Sequence, residues 1–178
     1  MDESVKGCMP ELLSQGRALL SGTDIRTYSP LTLAFIGDAV FSLYIRTVLV
    51  GRGNMAPGKL HEACSELVQA RTQSRMIRGI LEALSEEEKS AYRRGRNAQA
   101  PSRAKHASMS EYRHATGLEA LFGYLYLTGQ GERMTKLVEL CLDFYEGKQS
   151  EERSAEREKE LESGQTEHGR AVFGEEAL

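Results

Sequence analysis

The stretch LTLAFIGDAVFSLYIRTVLV, Leu31 to Val50, is apolar on nearly every side when wound into a helix. A helix of that kind belongs at the centre of a domain, covered all round. Ser29 and Pro30 stand directly before it. A serine side chain accepts from the free N–H groups of a first turn, and proline fits the first helical position because it has no N–H to leave unpaired. Gly51 and Gly53 end the stretch. Asp38 and Arg46 are its only charged residues, and they make a buried core helix a better reading than a membrane span.

Outward from this stretch, apolar residues recur with helical spacing and no segment reads convincingly as a strand. A short, weakly amphipathic segment runs from about Pro10 to Leu20. After Pro57, the spacing of Leu60, Cys64, Leu67 and Val68 predicts a helix that continues through Leu81 and Leu84. Ser85, followed three residues on by Glu88, forms a capping box that opens a helix ending near Gly95. A second segment apolar nearly all round spans about Ser110 to Leu127. A last helix follows Gly131, with Met134, Leu137, Val138, Cys141 and Phe144 or Tyr145 as its stripe. From Gly147 the chain turns polar and loses its apolar period, as a solvated helix or a disordered tail would. The expected architecture is a compact all-α helical bundle over residues 29–146, with an N-terminal extension at 1–28 and a polar acidic tail at 147–178.

The net charge of −3 conceals an asymmetry. From Glu146 onward there are ten acidic residues and five Lys or Arg, which leaves 18 basic and 16 acidic residues in 1–145. The body is therefore mildly basic, and the overall acidity does not argue against a nucleic-acid partner. Cys8, Cys64 and Cys141 are odd in number and form no CxxC pair. That pattern argues against a disulfide framework or a zinc site and suits a reducing cytoplasm. The N-terminus MDESVKGCMPELL lacks the apolar run of a signal peptide.

Each of the two all-apolar segments holds one misplaced acid: Asp38 in the first and Glu119 in the second. Small residues surround both: Gly37, Ala34 and Ser42 near Asp38; Ala115, Thr116, Gly117 and Gly123 near Glu119. A buried carboxylate is paired, binds a metal or takes a proton, because leaving it charged and alone is expensive. Small neighbours leave room for a hydrated ion, and two carboxylates with waters in the remaining positions suit Mg²⁺, with Mn²⁺ as the alternative. Composition alone leaves a hydroxyl or arginine partner equally open.

At these residues the chain resembles a known family. LAFIGDAVFSLYIR (Leu33 to Arg46) is similar to the signature helix of the ribonuclease III family, and ATGLEALFGYLYLTG (Ala115 to Gly129) to that family's second catalytic helix. The order and spacing agree, and the likeness spans roughly Ser29 to Tyr145. RRGRNA (Arg93 to Ala98) and EALFGYLYLTG are features of the short bacterial Mini-ribonuclease III branch. The larger enzymes carry further acids where this chain has Ala34 and Thr116, so Asp38 and Glu119 are the two of the four familiar acids that remain. The resemblance implies a ribonuclease III-type endonuclease domain in which these two residues are catalytic and bind the metal. It implies a homodimer that cuts both strands of double-stranded RNA, leaving 5′-phosphate and 3′-hydroxyl ends. It further implies maturation of the 23S rRNA precursor, in the cytoplasm and away from membranes. No double-stranded-RNA-binding domain is expected beyond Tyr145, which fits a substrate presented by a ribosomal protein.

From Arg93 to Arg113 the chain is basic, with Arg93, Arg94, Arg96, Arg103, Lys105 and Arg113 opposed only by Glu111. A-form RNA is read mainly through phosphates and 2′-hydroxyls, which suits such a stretch. Arg94, Arg96, Asn97, Lys105 and Arg113 are the candidate RNA-binding residues; the bland alternative is a solvated loop. Thr116, one turn before Glu119, is a candidate to hold a metal-bound water. The rival to an enzyme is a catalytically silent domain of the same fold that binds rRNA structurally, but such a domain need not keep both acids.

Overall fold

The structure, a computed structural model, describes residues 24–98 and 108–171; the segment expected at Pro10–Leu20 and residue Lys105 lie outside them. Six α-helices and no strand occur among the described residues: α1 Pro30–Gly51, α2 Pro57–Val68, α3 Ala70–Ile80, α4 Glu86–Asn97, α5 Met109–Leu127 and α6 Gly131–Ala171. Short 3-10 turns precede α1 at Ile25–Thr27 and follow α3 at Leu81–Ala83. Helix α5 is the axis of the bundle, with α1, α3, α4 and α6 packed around it.

Local chemistry accounts for the helix starts. The Ser29 hydroxyl accepts from the Leu31 N–H at 3.3 Å, and Pro30 occupies the first turn of α1. The Ser85–Glu88 box opens α4 as its sequence predicts. Helix α5 begins slightly earlier than expected because Ser108 and Glu111 form a second capping box. Glu88 does further work. Burial alone would raise its pKa, but hydrogen bonds from Arg133 and Ser85 outweigh that and hold it below the usual carboxylate value. The Arg133 guanidinium donates to Glu88 at 2.7 and 2.9 Å, tying the start of α4 to the start of α6.

The predicted helix from Pro57 to Leu84 is broken. At Gln69 the backbone is extended (φ −67°, ψ 149°), and α2 gives way to α3. No Gly or Pro marks the break; a slip in apolar phase does. Extending the Leu60, Cys64, Leu67 stripe without interruption would bury Arg71 and Arg78. Restarting the helix at Ala70 instead buries Met76, Ile77 and Ile80.

Helix α1 is long and apolar enough to cross a membrane, yet it is half buried inside the bundle. Leu33, Val40, Phe41, Tyr44, Ile45 and Val48 face inward. Phe41 packs edge-on against Phe122 of α5 with ring centroids 5.1 Å apart. The expectation of cover all round is not met within the chain, since Phe35 is 83% and Val50 63% exposed.

Helices α1 and α5 cross backbone to backbone. A Cβ added at Gly37 would overlap the Glu119 carbonyl oxygen, and one added at Gly123 would overlap the Leu33 carbonyl oxygen. On another side of α5, the absent side chains of Gly95 and Gly117 let α4 approach as closely. Helix α6 buries Met134, Leu137, Val138, Cys141 and Tyr145, with Phe144 lying over Gly79 of α3. It continues past Gly147 to Ala171. There Gln149 donates to Glu66 of α2 at 3.0 Å, and Glu152 pairs with Arg75 of α3.

Two glycine substitutions should therefore have opposite effects. Gly37→Ala is expected to cost about 3 kcal/mol or more, because α1 must move off α5 to admit the methyl group. Gly147→Ala, inside α6 with nothing within 4 Å of the added carbon, should stabilise by roughly 0.5–1 kcal/mol. Urea unfolding of the two variants beside the parent checks both signs.

Candidate active site

Asp38 and Glu119 flank the α1–α5 crossing. Asp38 follows Gly37, and Gly37 rests on the carbonyl of Glu119 itself. The two acids are therefore brought together by the contact that holds the core. Asp38 is exposed and Glu119 half-buried, so the expectation that both acids are buried holds only for the second, and there in part. Neither has a hydrogen-bond or ion-pair partner among the described residues. Burial first, and the Asp38 carboxylate second, push the Glu119 pKa up to about 7. A cation between the two would remove both causes, replacing lost solvation and neutralising the like charge.

The donor set is small. Among the described residues no group of three or more His, Cys, Asp or Glu side chains could hold a metal. Two carboxylates suit an ion that takes oxygen ligands and keeps most of its water. The small neighbours serve a different purpose from the one expected. Gly37 and Gly123 admit the opposing backbone rather than leaving room for an ion.

The two positions where larger relatives carry further acids are taken up by packing. Ala34 is buried beside Ile25, Leu33 and Ala120. Thr116 is 5% exposed and its hydroxyl donates to the Tyr112 carbonyl at 3.1 Å, so that proton is committed within the helix rather than to a metal-bound water.

The candidate RNA-binding residues are dispersed. Arg94 is half-buried and donates to the Tyr28 carbonyl at 2.5 Å, which fastens α4 to the entry of α1. Arg96 and Asn97 are exposed at the end of α4, and Arg113 is exposed in the first turns of α5. Lys59 and His61 are exposed on α2. One cluster escaped the sequence reading: a cavity of about 440 Å³ lined in part by Tyr92, Arg93, Arg96 and His114. The signal for it was present, since Lys89, Arg93 and Arg96 are spaced four and three apart, on one face of α4.

Comparison with known proteins places the fold in a family. The Ribonuclease III domain family matches residues 31–130. The chain is 42% identical over 146 residues to Mini-ribonuclease 3 of Thermoanaerobacter sp. (strain X514), covering 82% of this chain and 99% of that protein. It is 42% identical to Mini-ribonuclease 3 of Streptococcus pneumoniae over 126 residues, covering 70% and 98% of the two chains. A crystal structure of a Fusobacterium nucleatum protein superposes with a TM-score of 0.60 at 34% identity, covering 68% of this chain and 98% of that one. With its two carboxylates set at the crossing of the two matched helices, the chain belongs to the ribonuclease III family, in its Mini-ribonuclease 3 branch, and is an endoribonuclease of double-stranded RNA.

Proposed function

We propose that Asp38 and Glu119 are the catalytic carboxylates and jointly hold a Mg²⁺ ion, for which Mn²⁺ can substitute, and that the substrate is the duplex of the 23S rRNA precursor. The single observation that carries this is Glu119: a half-buried acid without a hydrogen-bond or ion-pair partner among the described residues, beside a second carboxylate, on the face where two helices cross. When bound, the ion would supply water activation and charge stabilisation at the leaving oxygen. The protein's own part is to fix the two acids on rigid helices, so that little reorganisation is needed at the moment of reaction. Arg96, Asn97, Lys105 and Arg113 supply phosphate contacts, and Arg94 adds what its bond to Tyr28 leaves free.

The acting unit in this proposal is a homodimer. Phe35, Ala39, Leu43 and Val50 leave an exposed face along α1 that is apolar apart from Arg46. An apolar face of that length is a natural interface between copies. Asp38 borders this face, so pairing α1 with its copy would align two carboxylate pairs along one duplex. A ribosomal protein that presents the RNA completes the scheme, and the buried free thiols of Cys64 and Cys141 accord with a reducing cytoplasm.

Asp38→Asn and Glu119→Gln should each reduce cleavage of a duplex rRNA precursor by at least about 10³-fold in Mg²⁺, while leaving circular dichroism unchanged. Either variant cutting at near parental rate would refute the two-carboxylate site, and cleavage undiminished in chelator would refute the ion. Leu43→Glu should halve the mass found by light scattering, because it places a charge in the α1 face; a parent that is already monomeric would overturn the dimer.

Stability supplies a separate check. The folded chain keeps a proton on Glu119 between its ordinary pKa of 4.5 and about 7, where the unfolded chain has released it. Stability should therefore fall as pH rises through that window. The loss is at most about 3 kcal/mol, and Glu119→Gln should abolish it. Urea unfolding in chelator at fixed protein concentration measures it, and millimolar Mg²⁺ should shrink the loss.

A further inference from the structure

On another flank of α5 from the carboxylates, α4, α5 and the turn after α3 border an open pocket of about 440 Å³. The separation follows from the packing of α5: Glu119 and Gly123 face α1, whereas Gly117 receives the Tyr92 ring of α4. A cavity of this size is in the range that holds a small organic ligand rather than a bare ion. Lys89, Arg93 and Arg96 line it from successive turns of α4. Among the described residues Lys89 and Arg93 pair only with Glu86, at 3.2 and 3.7 Å, and Glu86 is 79% exposed. Those surface pairs are weak and leave most of the donors free.

The floor is built rather than incidental. Tyr92 is 4% exposed, and its hydroxyl lies 2.5 Å from Nδ1 of His114. Burial, together with the nearby charges of Arg96 and Arg78, holds the His114 pKa below its usual value, and burial raises that of Tyr92. The imidazole is then neutral and the phenol keeps its proton; with the phenol as the donor to Nδ1, Nε2 carries the ring proton. His114 thus adds a neutral N–H donor to three cations. Leu81 supplies an apolar wall and Glu82 an acceptor at the rim.

We infer that this cavity binds a nucleoside 5′-phosphate. The phosphate sits among Lys89, Arg93, Arg96 and His114, and the nucleoside lies against Leu81 with Glu82 accepting from its hydroxyl or amino groups. The two sources of this chemistry are a free mononucleotide and the 5′-phosphorylated end of an RNA strand. The inference does not depend on the carboxylate pair, and its test needs neither metal nor cleavage, so the two can fail separately.

The test is calorimetric titration of the full chain in chelator with adenosine 5′-monophosphate, adenosine, and a short single-stranded RNA with and without a 5′-phosphate. The monophosphate should saturate at or below about 1 mM, and adenosine should be at least tenfold weaker. Lys89→Gln with Arg93→Gln should weaken the monophosphate by roughly tenfold or more, since charge-assisted hydrogen bonds are lost. Tyr92→Phe should weaken it less, and nitrogen NMR of the parent should show His114 protonated at Nε2 with a shift on titration. A 5′-phosphorylated strand that outbinds the mononucleotide identifies an RNA end as the source, and equal binding identifies the free nucleotide. No saturation by either phosphate probe up to about 10 mM would overturn the inference. So would adenosine binding as well as the monophosphate, affinity unchanged in the double variant, or an Nδ1-protonated His114.

Discussion

The contact between Gly37 and the carbonyl of Glu119, answered by Gly123 against the carbonyl of Leu33, governs the molecule. Two helices that touch through their backbones cannot slide or rotate without collision, so their register is set to within a fraction of an ångström. Everything inward of the crossing follows from it. Phe41 and Tyr44 reach Phe122, and the apolar side of α1 closes on α5. Glu119 is carried by the same residue whose carbonyl receives Gly37, and Asp38 is next to Gly37 in the chain. The distance between the candidate catalytic acids is thus inherited from the packing of the core, and no loop intervenes.

That arrangement explains which features were legible in the sequence. Helices α1 and α5 announce themselves by being apolar all round, and each acid stands out because it interrupts such a run. The capping box at Ser85 and Glu88 is equally plain, since its chemistry is complete within four residues. What sequence could not convey is long-range. The glycines beside the acids look like room for an ion until the opposing carbonyls are known to occupy that space. The exposure of Asp38 depends on which flank of α1 the rest of the chain leaves open, and periodicity cannot say that of a helix with no polar face. The break at Gln69 has no turn residue to announce it and shows only as a change in which positions are buried. Tyr92 and His114 are 22 residues apart and meet only because α4 lies on α5.

Membership of the ribonuclease III family explains why these two helices match so well, but the packing gives a physical account of the thinner acidic set. At Ala34 a longer side chain would enter the apolar contact with Ile25 and Ala120. At Thr116 a carboxylate would have to be accommodated against α4, where the backbone carbonyl already meets Gly95 closely. In such a small bundle, packing has taken both of these positions.

With the proposed ion, the raised pKa of Glu119 would also make the crossing a cation exchanger. Near neutral pH the metal-free carboxylate exchanges a proton, since its pKa is pushed up to about 7. A dication held there as proposed would have to expel that proton, and would release more of it as the solution becomes more acidic. Proton and metal are then antagonists at one address. With the proposed ion, a drop in pH would act on the site as a dilution of that ion, with the fold intact.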